Sequence, residues 1–216
     1  MSSSATEFAL IARQGKRLEY FSIWWHICEG VAAVAAGIIA GSVSLVGFGA
    51  DSFIEVTSAV ALLWRLSNIV DEENREKNER LTLRIVGICF LALAAYISYA
   101  SIANLLQKQA PDHSPAGIVV ALAALIAMPL LSRAKKQVGK RLQSQAMVAD
   151  ARQADFCAYL SAILLTGLLL NAAFGWWWSD PVAALVMIPI IAKEGLDALQ
   201  GKTCCDAGCK QAVCKK

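Results

Sequence analysis

Leu45-Val-Gly-Phe-Gly-Ala-Asp51-Ser-Phe-Ile-Glu55-Val-Thr-Ser-Ala-Val-Ala-Leu-Leu-Trp64 is an apolar run long enough to cross a bilayer, yet it holds two carboxylates. A helix needs about 20 mainly apolar residues to span the hydrocarbon core. Asp51 and Glu55 stand four apart, so a helix sets both on one face, one turn from each other. Ionisable groups inside a span are costly, and they usually face the bundle interior and mark an ion or proton path.

Working outward, the chain is 216 residues and 57% hydrophobic, with a mean hydropathy of +0.51. Its apolar residues fall in long blocks, which excludes an ordinary soluble domain. Six blocks read as spans: Phe21–Ile39, Leu45–Trp64, Ile85–Leu106, Ile118–Leu131, Phe156–Phe174 and Pro181–Ala192. They are too long and too poor in alternation for barrel strands, so helices satisfy the backbone in lipid. The fold class expected is an all-α membrane protein, a bundle of six transmembrane helices. Residues 1–20 form an N-terminal segment, 21–199 the membrane domain and 200–216 a Cys-rich tail.

Lys and Arg set the orientation. They cluster before span one (Arg13, Lys16, Arg17), between spans two and three (Arg65, Arg75, Lys77, Arg80, Arg84) and between spans four and five (Arg133, Lys135, Lys136, Lys140, Arg141). More follow span six, while the opposite loops carry only Lys108. The positive-inside rule then puts both termini in the cytoplasm, in a multi-pass protein of the inner or plasma membrane. Trp176, Trp177 and Trp178 fall at the outer interface. These basic loops are topology signals, and no nucleic-acid partner is expected. The polar start and the absence of an apolar block before Arg13 read as a chain without a signal peptide.

A second polar face lies in span five, where Gln153 and Cys157 are again four apart and Asp150 precedes Gln153 by three. Gln offers a carbonyl oxygen and Cys a thiol whose thiolate favours softer metals, while Asp51 and Glu55 offer hard oxygens. Asp155 points elsewhere and has Arg152 as a neighbour to pair with. On span one, His26 and Glu29 stand three apart, as a proton relay, an ion site near the cytoplasm, or interfacial hydrogen bonding beside Trp24 and Trp25. Because ionisable groups concentrate in spans one, two and five, spans one, two, five and six are expected to form the polar core, with three and four outside it. Gly37 and Gly41 form a GxxxG pair for close helix packing. In the tail, Cys204, Cys205, Cys209 and Cys214 read as a thiolate trap for soft metal in a reducing compartment.

Gly41-Ser-Val-Ser-Leu-Val-Gly-Phe-Gly-Ala-Asp51-Ser-Phe-Ile-Glu55-Val resembles the second span of cation diffusion facilitators. Ala149-Asp-Ala-Arg-Gln153-Ala-Asp-Phe-Cys157 resembles their fifth, and Ser179-Asp180-Pro181 their approach to the sixth. The resemblance implies a homodimeric exporter of divalent metal, driven by proton exchange. Its transport site would take two ligands from span two, Asp51 and Glu55, and two from span five, Gln153 and Cys157. Asp150, His26 and Glu29 are additional candidates. Glu55 stands for the usual Asp, Gln153 for His or Asp, Cys157 for Asp, and Phe48 where many members carry another acid.

Zinc is the expected ion. Iron, manganese or cobalt fit the carboxylates, and cadmium fits the thiols. A membrane metal sensor or buffer that does not transport is the alternative from another class. No HExxH and no Ser/His or Cys/His dyad occurs, so no enzyme is expected. The family's cytoplasmic C-terminal domain has no counterpart within these 216 residues.

Overall fold

The structure, a computed structural model, describes residues 2–67, 72–109, 111–142 and 144–200. Among them the chain forms six helices: α1 (Ser2–Ala40), α2 (Val43–Ser67), α3 (Glu72–Gln107), α4 (Pro115–Arg141), α5 (Gln145–Phe174) and α6 (Ser179–Leu199). Five of them hold stretches long and apolar enough to cross a membrane. The sixth, α6, has 21 residues, and at 1.5 Å per residue that length matches a hydrocarbon core of about 30 Å. Its charges, Asp180, Lys193, Glu194 and Asp197, sit near its two ends.

The core is apolar, but the outer surface is apolar too, unlike that of a soluble protein. Val31, Ile39, Ile88, Tyr99, Val119, Ile126 and Leu130 are exposed, while Asp51, Glu55, His26, Glu29, Glu19 and Lys135 are buried. Lipid is the natural solvent for such an outer surface, and the interior is where intramembrane charge belongs.

Several helices run past the apolar blocks that announce them. Ser144 accepts a hydrogen bond from the Met147 amide (3.4 Å) and starts α5 eleven residues before Phe156. α5 ends at Gly175, whose φ of 65° is a left-handed conformation that glycine adopts without strain. In α4, Ser114 caps the start by accepting from the Gly117 amide (3.1 Å), with Pro115 at its first position. Lys140 and Arg141 occupy its last turn, where cations suit the helix dipole. The basic cluster between spans four and five is thus the final turns of α4 and not a loop.

α1 and α2 meet through glycines. A Cβ on Gly37 would stand 2.8 Å from the Val46 amide nitrogen, and one on Gly49 2.9 Å from the Gly30 carbonyl oxygen. Gly37 therefore serves packing as expected. Gly41 does not: its φ is 65° and a Cβ there would meet open space, so it is the turn that ends α1.

The expected division of helices needs correction. α4 packs most extensively on α5 and also on α1, while α3 pairs with α6 at Gly87 and Gly195. The polar centre lies among α1, α2, α4 and α5, and α4 brings the buried Lys135 into it. The reason is that Lys135 lies past the apolar block of span four, so it reads as a loop charge until the helix is seen to continue.

At the outer end, Asp180 of α6 caps α2. Its carboxylate accepts from Ser42 Oγ (2.5 Å), the Val43 amide (3.0 Å) and Ser44 Oγ. A carboxylate at a helix N-terminus satisfies orphan amides and meets the positive end of the dipole. Asp180→Ala leaves these buried donors without an acceptor, which should cost about 3 kcal/mol. A fall of several degrees in the unfolding midpoint of the detergent-solubilised chain would register it, and an unchanged midpoint would show the cap to be dispensable.

Candidate metal centre

Asp51 and Glu55 project from the middle of α2, and Cys157 from α5. One ligand atom from each lies within 4.8 Å of the other two, and all three side chains are buried. Metal bonds of about 2.0–2.3 Å in tetrahedral array place ligand atoms roughly 3.3–3.8 Å apart. The three atoms therefore close on an ion with a contraction of about an ångström, within reach of rotamer adjustment. The starting residue of α5 explains how the two faces become level. Because the helix begins at Gln145, Cys157 lies within its length rather than at its end. Ser161 Oγ donates to the Cys157 carbonyl (2.7 Å), a one-turn bond that ties the helix at this point.

Gln153, one turn from Cys157, is half-buried and lines a small cleft with Glu55, His26, Ser22, Lys135 and Asp150. Glu55 thus belongs both to the three-residue cluster and to the cleft that Gln153 lines.

His26 also reaches it. Its Nδ1 lies 3.0 Å from Glu55 Oε2 and 3.3 Å from Glu29 Oε2. It is aligned for a hydrogen bond with neither, and both Glu29 oxygens also lack one. One ring nitrogen between two buried carboxylates leaves acceptors in excess, a surplus of negative charge that favours a cation nearby.

Asp150 is different. It turns to Lys135 of α4, whose Nζ donates to Asp150, to Glu19 Oε2 (3.1 Å) and to Ser22 Oγ (2.9 Å). The expected partner of Asp155 is also corrected. Asp155 takes Lys136 and Ser132 Oγ (2.5 Å), both on α4, because α4 continues alongside α5, while Arg152 is exposed. Cys204, Cys205, Cys209 and Cys214 lie outside the described residues, and His113 is exposed in the loop before α4.

Reading the sequence missed Glu19, Ser22 and Lys135. The signal on α1 is a stripe: Glu19, Ser22, His26 and Glu29 fall at i, i+3, i+7 and i+10, one helical face, and all four are buried.

A multi-pass helical membrane protein with ligand-bearing side chains converging between its helices is the class that this fold and centre define. A model of the cation efflux transmembrane domain matches residues 27–200. The chain belongs to the cation efflux family. It is 26% identical over 182 residues to an uncharacterised transporter of Methanocaldococcus jannaschii, covering 82% of this chain and 64% of that one. It is 24% identical over 194 residues to the magnetosome protein MamB of Magnetospira, covering 83% and 66%. It is 22% identical over 168 residues to the cation-efflux pump FieF of Shewanella oneidensis, covering 75% and 56%. The chain thus spans between half and two thirds of the length of the curated relatives it matches.

Proposed function

We propose that this protein exports a divalent metal cation from the cytoplasm across the plasma membrane, by alternating access and in exchange for protons. The observation that carries the reading is the convergence of Asp51, Glu55 and Cys157 at one buried point inside a membrane bundle. Gln153 completes the ligand set from the wall it shares with Glu55. His26 and Glu29 stand beside the set, with His26 within ion-pair distance of Glu55.

The chemistry follows from charge. Two carboxylates one turn apart repel, and a divalent cation between them offsets both. Metal binding requires deprotonated ligands, so protons and metal compete for Asp51, Glu55 and Cys157. Opening toward a more acidic outer side favours protons and releases the ion, and no further cofactor is needed. Rocking of helix groups about a fixed site alternates its exposure.

Zinc suits the mixed oxygen and sulfur set. Iron, manganese or cobalt would draw on its oxygens and cadmium on its sulfur. The protein works as a homodimer in this reading, as the family resemblance implies.

The test is metal-dependent flux in proteoliposomes bearing a pH gradient, screening zinc, cadmium, iron, manganese and cobalt. Flux that requires the gradient is the expected result. Tight binding without flux for any ion would replace the transporter with a membrane metal sensor or buffer.

A further inference from the structure

Lys135 is the feature that the transport reading leaves unused. It is almost wholly buried, and so are both Glu19 and Ser22, which it contacts. Its Nζ joins three helices by binding Glu19 and Ser22 of α1 and Asp150 of α5 from its place on α4. Burying an ion pair costs desolvation that Coulomb attraction only roughly repays, so such a group is poor evidence for stability alone.

Position gives it meaning. Along α1, Ser22 and Glu19 precede His26, which is 3.0 Å from Glu55, by four and seven residues, about 6 and 10 Å toward the cytoplasmic end of the helix. The ion cluster therefore stands between Glu55 and the cytoplasm. Ser22, Lys135 and Asp150 line the same small cleft as Glu55, Gln153 and His26, so the cluster adjoins the metal centre on its Glu55 side.

Charge completes the argument. Two carboxyl groups share one ammonium, and Glu19 Oε1 is buried without a hydrogen-bond partner. A divalent cation would neutralise both carboxylates and use the free oxygen. Its ligands there would be Glu19, Asp150 and Ser22, an all-oxygen set that suits hard ions. Lysine is a compact charge on a flexible stem, able to move off the carboxylates when another cation takes its place.

We propose that Glu19, Asp150 and Ser22 form a divalent-cation staging site on the cytoplasmic side of the metal centre, closed in this conformation by the tethered Lys135 ammonium. An ion arriving from the cytoplasm displaces Lys135, occupies the carboxylates and passes along the shared cleft to Glu55. The role as a step toward export rests on the transport reading, whereas the site itself can be tested without transport.

Equilibrium dialysis of the purified full chain with Mn2+ counts bound ions, since manganese favours oxygen ligands and leaves the tail thiols unoccupied. At a Mn2+ concentration too low to displace the tethered ammonium of the wild type, Lys135→Met should bind one Mn2+ more per chain than the wild type, and Lys135→Met combined with Asp150→Asn should return to the wild-type count. An unchanged count in a folded Lys135→Met chain overturns the proposal.

Lys135→Arg preserves the charge and guards against misfolding of the methionine variant. Its guanidinium grips two carboxylates more firmly, so Mn2+ binding in stopped-flow mixing should slow at least tenfold, with the final count unchanged. Binding at the wild-type rate would also overturn the proposal. A chain that gains the extra Mn2+ site yet moves no ion in the proteoliposome flux assay would retain the staging site and lose only the transport reading.

Discussion

Asp51→Asn is expected to abolish divalent-cation flux and to weaken metal binding at least ~100-fold, while raising the stability of the metal-free chain. The opposite signs come from one cause. Asp51 is buried one turn from the buried Glu55, with Cys157 and His26 close by. Without an ion, two acids in a low-dielectric interior repel, and the fold carries that cost. Asparagine keeps the shape, removes the repulsion and can hydrogen-bond its neighbours.

With an ion, the same change removes a charged ligand from the proposed set of four. Loss of even a supporting residue around a metal costs roughly 10–100-fold in affinity, and a direct ligand costs more. A factor of 100 is about 2.7 kcal/mol. Thermal unfolding with and without metal reads both halves. At a metal concentration 100 times its dissociation constant, the wild type should gain about 2.7 kcal/mol, several degrees for a chain of this length. Asp51→Asn should begin higher and gain at most about 0.4 kcal/mol. A variant that begins lower and still gains the wild-type increment would make Asp51 a structural residue and move the ion elsewhere.

The residues that could be read from sequence are those whose spacing and setting agree. Asp51 and Glu55 lie inside an uninterrupted apolar block, so their helix, their shared face and their burial follow from periodicity alone. Gln153 and Cys157 were legible as a face. Their level was not, because the polar stretch from Gln145 to Asp155 hides the first turns of α5. The same concealment affected α4. Arg133, Lys135, Lys136, Lys140 and Arg141 look alike in sequence, yet Lys135 is buried against two carboxylates while Arg133, Lys140 and Arg141 are exposed. Helical phase could separate them, since Ser132 and Lys135 continue the buried row of Ala121, Ala124 and Met128. Pairing across helices lies beyond what one sequence can give. Nothing local in Asp155 selects Lys136 over Arg152, and only the packing of α4 on α5 does so.

Cys157→Ser is expected to change which ion the proposed centre prefers more than it changes the fold. The thiol is buried, within 4.8 Å of carboxylate oxygens on α2. A buried cysteine is commonly a small apolar filler, and the serine variant separates that role from a ligand's. Thiolate binds cadmium and zinc well and manganese poorly, whereas a hydroxyl is a weak, hard donor. If Cys157 is a ligand, cadmium binding should fall about 100-fold and zinc binding about 10-fold, with manganese changed less than threefold. The cadmium-to-manganese ratio is the decisive quantity, because a packing defect would lower all ions together and leave it constant. Cys157→Asp should move the ratio further toward manganese by adding a third carboxylate, at the expense of stability in the metal-free chain. Competition titrations with cadmium and manganese on the full chain would measure both variants, with the tail cysteines replaced by serine in every sample so that only the buried thiol differs. A constant ratio across all three chains would leave selectivity to Asp51, Glu55 and Gln153, and Cys157 would then be packing.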